Sequence, residues 1–333
     1  MSDPGPVIGI DLGGTKVAAG LLQDGALAKH ELQATNRSSA AALIDQLVEL
    51  VESVRPGELS GVGIGVPSVV EFETGRVVSS VNVPLRDVAL REVLSERLGV
   101  PAFVDNDATV AALAEAHDEQ FRLVARNLVM LTVGTGVGGG IVIGGRIYRG
   151  STGGAAELGH TLIGLGLGPA GAPPAPTGFP QPGSLEFVAS GHALDRLAAQ
   201  AAKQHPESPL GRLQAQGKPI NGVDAVRAAQ DMDPAAAEIV EIWAERLGIG
   251  VANAINTFDP DEVVIGGGAA RAGNLLLEPS TRVALGYVIP GLGTRTTIRL
   301  ARHGVLAGVL GAALLAAHEL EERSATRRTE AQA

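Results

Sequence analysis

The chain has 333 residues, enough for about two domains, and 45% of them are hydrophobic, so a substantial core can form. Its formal charge of −10, with no long Lys/Arg block, argues against a sequence-independent nucleic-acid footprint, which needs basic surface to neutralise phosphates. There is no cysteine, which excludes disulfides, thiolate metal sites and cysteine nucleophiles.

In chain order, Val7 to Leu12 reads as an apolar strand, Gly13-Gly14-Thr15-Lys16 as a polar glycine turn, and Val17 to Leu22 as a second strand ending in the tight-turn pair Asp24-Gly25. Ser39 to Val54 has apolar residues at helical spacing, and strands follow at 61–66 and 77–80. Leu85 to Leu98 reads as helix, 101–105 as strand and Ala108 to Ala116 as helix. At residue 128 the opening pattern returns. Leu128 to Val133 is a strand, Gly134-Thr135-Gly136-Val137-Gly138-Gly139 a glycine turn, and 140–143 a strand ending in Gly144-Gly145. Gly164 to Gly183 is rich in proline and glycine and is expected to be irregular. A helical pattern covers Pro234 to Phe258, and 262–266 reads as strand. Gly304 to Ala317 is apolar but shorter than the roughly 18 residues of a membrane span, so a buried helix is expected. With no basic-then-apolar signal pattern at the N-terminus, the expected location is the cytoplasm, with no membrane partner.

Strands alternating with helices imply an α/β fold, and the restart at 128 implies a duplicated architecture with a cleft between the halves. The expected division is a small α/β domain over 1–116, completed by a C-terminal helix at about 305–320, and a large α/β domain over 117–304. The join falls near 116–127, and 321–333 is expected to be a disordered tail.

The two glycine turns carry the first chemical signal. Polyphosphate binding needs backbone N–H groups to converge on oxygens, and glycine permits tight turns without side-chain obstruction. Either segment alone is equally well an ordinary glycine hairpin; together they can hold a polyphosphate from both sides. The second matches G-x-G-x-x-G, but Ile141-Val142-Ile143 follows as strand where a dinucleotide fold needs a helix. Asp11 precedes the first turn. A carboxylate beside phosphate is repelled unless a cation separates them, which suits Mg²⁺ bound through water; a turn-capping Asp is the alternative.

Asp105-Asn106-Asp107 lies between a strand end and a helix start, where ligands of α/β folds bind and where helix N-caps are also commonly Asp or Asn. Asp107 at a helix start is expected to stay ionised and could take a substrate hydroxyl's proton. Glu157-Leu158-Gly159-His160 places an acceptor and a donor three residues apart, suited to vicinal hydroxyls, and matches no zinc hydrolase pattern.

These pieces, in this order from Val7 to about Leu320, resemble the ROK family (repressors, uncharacterised reading frames, sugar kinases). The resemblance rests on Asp11 to Thr15, the Asn106-Asp107 pair, Gly134 to Gly140, Glu157-x-Gly159-His160, Gly183-Ser184-Leu185-Glu186 and Val263-Val264-Ile265-Gly266-Gly267-Gly268. It implies an actin-like, hexokinase-type ATPase fold and an ATP-dependent hexose kinase. By it, Asp107 would be the general base on the reacting hydroxyl, and Asn106, Glu157, His160 and Glu186 would hold other hydroxyls. Asn82 would sit near the sugar by position. Asp11, Gly13, Gly14, Thr15 and Lys16 would face Mg²⁺ and the phosphates, Thr135 and Gly136 their second side, and Gly267 and Gly268 adenosine. Glucose is the expected substrate; fructose, mannose, N-acetylmannosamine and N-acetylglucosamine would use much the same groups. ATP is favoured over polyphosphate by the adenosine-like segment, and a homodimer is an assembly that the resemblance allows.

Three departures stand out. The family's C-x-C-G-x-x-G-C zinc motif after the E-x-G-H histidine is absent, and Ser184 stands where its last cysteine would be. No zinc site is therefore expected, and His160 needs another partner to orient it; the Pro-rich loop Pro169–Pro182 is the expected substitute. Ser68 replaces a glycine that many members have next to the sugar, and Thr109 replaces a common asparagine. Family repressors carry a helix-turn-helix before the first phosphate hairpin, which here starts at residue 7, so a kinase is expected over a repressor. A catalytically silent sugar sensor is the alternative.

Overall fold

The computed structural model describes residues 5–80, 82–164 and 174–330. The chain divides into two compact units: one runs to Asn127 and includes Gly140–Ala156 and the chain from Arg302, the other holds Leu128–Gly139 and Glu157–Ala301.

The first unit starts with β1 (Val7–Leu12), β2 (Lys16–Gln23) and β3 (Ala26–Ala34), followed by α1 (Ala40–Val54) and β4 (Gly61–Val66). A small hairpin of β5 (Ser68–Glu71) and β6 (Arg76–Ser80) precedes α2 (Leu90–Leu98), β7 (Ala102–Asn106) and α3 (Asp107–Glu115). Asp24 and Gly25 both have positive φ, 51° and 70°, the backbone that a two-residue hairpin turn with right-handed strand twist requires. The main sheet runs β3-β2-β1-β4-β7, with β4 parallel to both β1 and β7.

Alternation along β1 divides the core. Ile8, Ile10 and Leu12 join one cluster with Leu43, Leu47, Leu50 and Val54 of α1 and Leu90 and Leu94 of α2. Val7 belongs to a second cluster with Phe103, Val110, Leu113 and the C-terminal helix α10 (Ala307–Glu330). Here Gly20, Gly9 and Gly63 stand side by side across three strands. A β-carbon on Gly63 would lie 1.7 Å from Ala312 O, and one on Gly9 2.0 Å from Val309 O, so α10 rests its backbone directly on the sheet. By length and composition the helix Gly304–Thr329 could cross a membrane, but 61% of its apolar window is buried, which marks it as a core helix of this unit.

Three expectations about this unit differ from the structure. Helix α2 starts at Leu90, not 85, because Asp87 adopts φ 55° just before it. Helix α10 continues through Glu330 instead of fraying at 321; its Ala, Glu and Arg residues favour helix, Arg323 lies over the Phe103 ring, and Glu322 pairs with Arg146. The boundary is not at 116, because residues 140–156 return to pack on α3, where Gly140 admits Ala112.

The second pattern supplies β8 (Leu128–Val133), β9 (Val137–Ile143) and β10 (Arg146–Ile147), then α4 (Leu185–Ala189), α5 (Gly191–Gln204), α6 (Pro209–Ala215) and α7 (Gly222–Gln230). Helix α8 (Pro234–Phe258), β11 (Glu262–Gly266), α9 (Asn274–Tyr287) and β12 (Thr297–Leu300) complete it. Its sheet order, β10-β9-β8-β11-β12, repeats the first sheet's plan of a hairpin followed by parallel strands. Asp233 caps the 25-residue α8, and Trp243 on that helix donates its indole N–H to Ala189 O and Ser190 O at 2.8 and 3.1 Å.

Candidate active site

The first unit holds the first glycine turn and the Asn106-Asp107 pair. Gly13 N–H donates to Lys16 O at 2.9 Å and closes the turn; Thr35 fastens it by donating Oγ1–H to Gly13 O and N–H to Thr15 O. Thr15 and Lys16 are exposed. Asn82 lies against this turn, its Cβ 3.0 Å from where a β-carbon on Gly14 would stand. Asp11, next to last in β1, is half-buried, and among the described residues nothing hydrogen-bonds or ion-pairs with its carboxylate. Burial pushes its pKa upward.

Asn106 and Asp107 sit where β7 meets α3. Asn106 Oδ1 accepts N–H bonds from Ala108 and Thr109 at 3.0 and 3.2 Å, capping the helix, and its Nδ2 donates to Ser68 O at 3.4 Å. Its carbonyl oxygen is thus occupied by the helix, leaving the amide for a hydroxyl. Asp107 Oδ1 accepts Ala108 N–H at 2.8 Å, and Gly65 lets β4 approach its backbone. The helix start is not the only influence on the charge of Asp107. Desolvation by burial outweighs that backbone hydrogen bond, nearby Asp11 adds repulsion, and its pKa is raised to about 6. That brings its titration toward neutral pH, where a carboxylate can exchange a proton.

The second unit carries the other candidates. Gly134 N–H donates to Gly136 O, and Gly191 N–H at the start of α5 donates to Gly134 O at 2.7 Å, pinning the turn that exposes Thr135. Glu186 Oε2 accepts Val137 N–H at 2.8 Å and lies 2.4 Å from where a β-carbon on Gly136 would be. The turn and Glu186 therefore form one structure. Gly267, at φ 77°, passes so close to β8 that a β-carbon would meet Val133 O at 2.5 Å, while Gly268 faces open space. Glu157 and His160 are exposed on a single 3-10 turn, His160 Nε2 standing 3.7 Å from Glu157 Oε2.

His160 also meets the ring of Phe179 edge-on, with centroids 5.4 Å apart. Phe179 belongs to the described part of the Pro-rich loop; residues 165–173, including Pro169, lie outside the described residues. Ser184 is fully buried and caps α4, accepting Phe187 N–H. Among the described residues no group of three or more His, Cys, Asp or Glu side chains could hold a metal ion.

Three further residues stand beside these groups. Gly308 makes room for Asp11, Arg149 pairs with Asp105, and Phe179 touches His160. Gly308 and Arg149 act across large sequence separations, where local spacing is silent, whereas Phe179 lies in the Pro-rich loop expected to orient His160. Gly308 had a weaker cue, as a small residue spaced three from Gly311 within an apolar helix.

The ROK family profile matches residues 7–319. The chain belongs to the ROK family. This ROK chain is 34% identical over 317 residues to a glucokinase of Halalkalibacterium halodurans, covering 91% of this chain and 92% of that one. Among solved structures it resembles a ROK family glucokinase from Streptomyces griseus in complex with glucose and AMPPNP, with TM-score 0.74 and 32% identity over 93% of this chain and 99% of that one. It also resembles a ROK hexokinase from Thermus thermophilus, with TM-score 0.73 and 34% identity over 95% and 99%. The fold is the actin-like ATPase fold of two α/β units that the ROK motifs implied.

Proposed function

We propose that this chain is an ATP-dependent hexose kinase that converts glucose to glucose 6-phosphate. The observation that carries the reading is Asp107: a half-buried carboxylate at a strand-to-helix junction, with its pKa raised to about 6, beside a second carboxylate that has no partner of its own among the described residues. Similarity to glucokinases along nearly the whole chain supports the same reading and favours ATP as donor.

In this reaction the Asp107 carboxylate orients the sugar O6–H and accepts its proton. The oxygen forms a bond to the γ-phosphorus as the bond to the ADP oxygen breaks. Asn106 Nδ2, Glu157, His160 and Glu186 hold the other hydroxyls. The Gly13–Lys16 and Gly134–Gly136 turns orient the phosphates, and Gly267 and Gly268 lie along adenosine. The residues fit Mg²⁺: Asp11 is, among the described residues, an unpaired carboxylate next to the Gly13–Lys16 turn, and the ion would neutralise charge on the phosphates. Phosphoryl transfer is mainly positioning and charge stabilisation, so the protein's contribution is this arrangement rather than covalent chemistry.

The test is a panel of hexoses and N-acetylhexosamines with ATP and Mg²⁺, reading sugar-dependent ADP formation. Glucose should give the largest kcat/KM. A panel with no sugar-dependent turnover would sink the kinase reading, and a larger value for another sugar would reassign the substrate.

A further inference from the structure

The junction that carries Asp107 is anchored by a buried ion pair that the reaction itself does not use. Asp105, two residues earlier, is 3% exposed. Its Oδ1 accepts the N–H of Asn106 at 2.9 Å and its Oδ2 accepts Nε–H of Arg149 at 2.7 Å. Arg149 donates again through Nη2 to Glu319 Oε1 on α10 at 3.1 Å. Its guanidinium carbon also lies 3.3 Å from the centre of the Phe72 ring, on the turn between β5 and β6. One guanidinium thus ties three distant chain segments to the peptide that leads into Asp107.

Stability alone does not account for this arrangement. Asp105 shares the strand face of Phe103, which lies in an apolar cluster with α10. Burying a carboxylate there is costly unless it is paired, and an apolar pair of similar volume would serve packing as well. A carboxylate with one oxygen on a backbone N–H and the other on a planar, three-point-held fork does what an apolar pair cannot: it fixes direction.

We propose that Arg149 is a positioning residue, acting through Asp105 to set the place of the Asn106–Asp107 turn. The effect on turnover rests on the kinase reading above; the effect on the turn does not. Lysine at 149 keeps the positive charge opposite Asp105 but cannot bond both carboxylates in the fork geometry.

The experiment compares full-length wild type with Arg149→Lys and Arg149→Ala by steady-state kinetics and amide hydrogen exchange. In Arg149→Lys, kcat should fall about ten- to hundredfold, the cost of a misplacement near 1 Å, with smaller changes in KM for sugar and ATP. Exchange should speed up locally at the amides of Asn106, Ala108 and Thr109, while β1 and α1 keep their protection. Guanidinium added to Arg149→Ala should restore part of the turnover; if that variant does not fold, Arg149→Lys decides. Unchanged exchange at 106–109, or a uniform rise across the unit, would overturn the proposal. If wild type phosphorylates no sugar, the kinase reading fails and the exchange comparison still decides the role of Arg149.

Discussion

Gly308 of α10 faces the Asp11 carboxylate so closely that a β-carbon at 308 would stand 2.3 Å from Asp11 Cγ. Asp11 cannot easily retreat, because its strand is held against α10 at Gly9. Replacing Gly308 by alanine gains roughly 1 kcal/mol of helix propensity but displaces the carboxylate. We expect Gly308→Ala to fold and to need more Mg²⁺ for half-maximal turnover, by about tenfold if one charge-assisted contact is lost. A Mg²⁺ titration identical to wild type would remove Asp11 from the metal's neighbourhood.

Asp107 links activity and stability with opposite signs. Its pKa rises from 3.8 unfolded to about 6 folded. The folded state therefore holds the proton more tightly, and Asp107's contribution to stability falls as pH rises from about 4 to 6. Above pH 6 the ionised group carries a cost of up to about 3 kcal/mol. Asp107→Asn removes that charge and keeps an oxygen for Ala108 N–H. It should raise the midpoint of denaturant unfolding at pH 7 while cutting kcat by about 10²- to 10⁴-fold, the usual worth of a general base. Sugar affinity should largely survive, and wild-type kcat/KM should climb through pH ~6 to a plateau. Equal loss of binding and turnover would argue against a base.

What the sequence revealed follows from how local each signal is. Strands β1, β4, β8 and β11 were legible because they are short segments rich in Val, Ile and Leu. Strand β3 was not, since Ala-Leu-Ala-Lys-His-Glu-Leu-Gln-Ala is mostly exposed at the sheet edge and lacks alternation. The Asn106–Asp107 junction was visible as a strand end meeting a helix start. Its electrostatics were not, because the desolvation that shifts Asp107 comes from elements brought there by the fold. Arg149 and Glu319, 170 residues apart, show the same limit.

Glu186 and the second phosphate turn should fail together. Glu186 Oε2 holds Val137 N–H and fills the space that a side chain on residue 136 would need. Gly136→Ala should push the carboxylate off the amide, a charge-assisted contact worth about tenfold in affinity. We expect KM to rise for sugar and ATP alike with the unfolding midpoint little changed. A rise confined to ATP would separate Glu186 from the sugar.

His160 offers the last comparison, because the contact that orients it is apolar. Its ring meets Phe179 edge-on, and Phe179 is otherwise 77% exposed, so removing that side chain costs little folding energy. An aromatic edge contact is worth about 1 kcal/mol, or roughly fivefold in affinity. Phe179→Ala should raise KM for sugar by about that factor, with kcat and KM for ATP near wild type, because the contact restrains a binding group and not the base. His160→Ala should do the same more strongly, and combining the two should add little, since both remove one restrained imidazole. The protein should also carry no stoichiometric zinc by elemental analysis, and chelation of zinc should leave its KM unchanged. Stoichiometric zinc, or fully additive effects of the two substitutions, would show that something other than Phe179 holds the His160 ring.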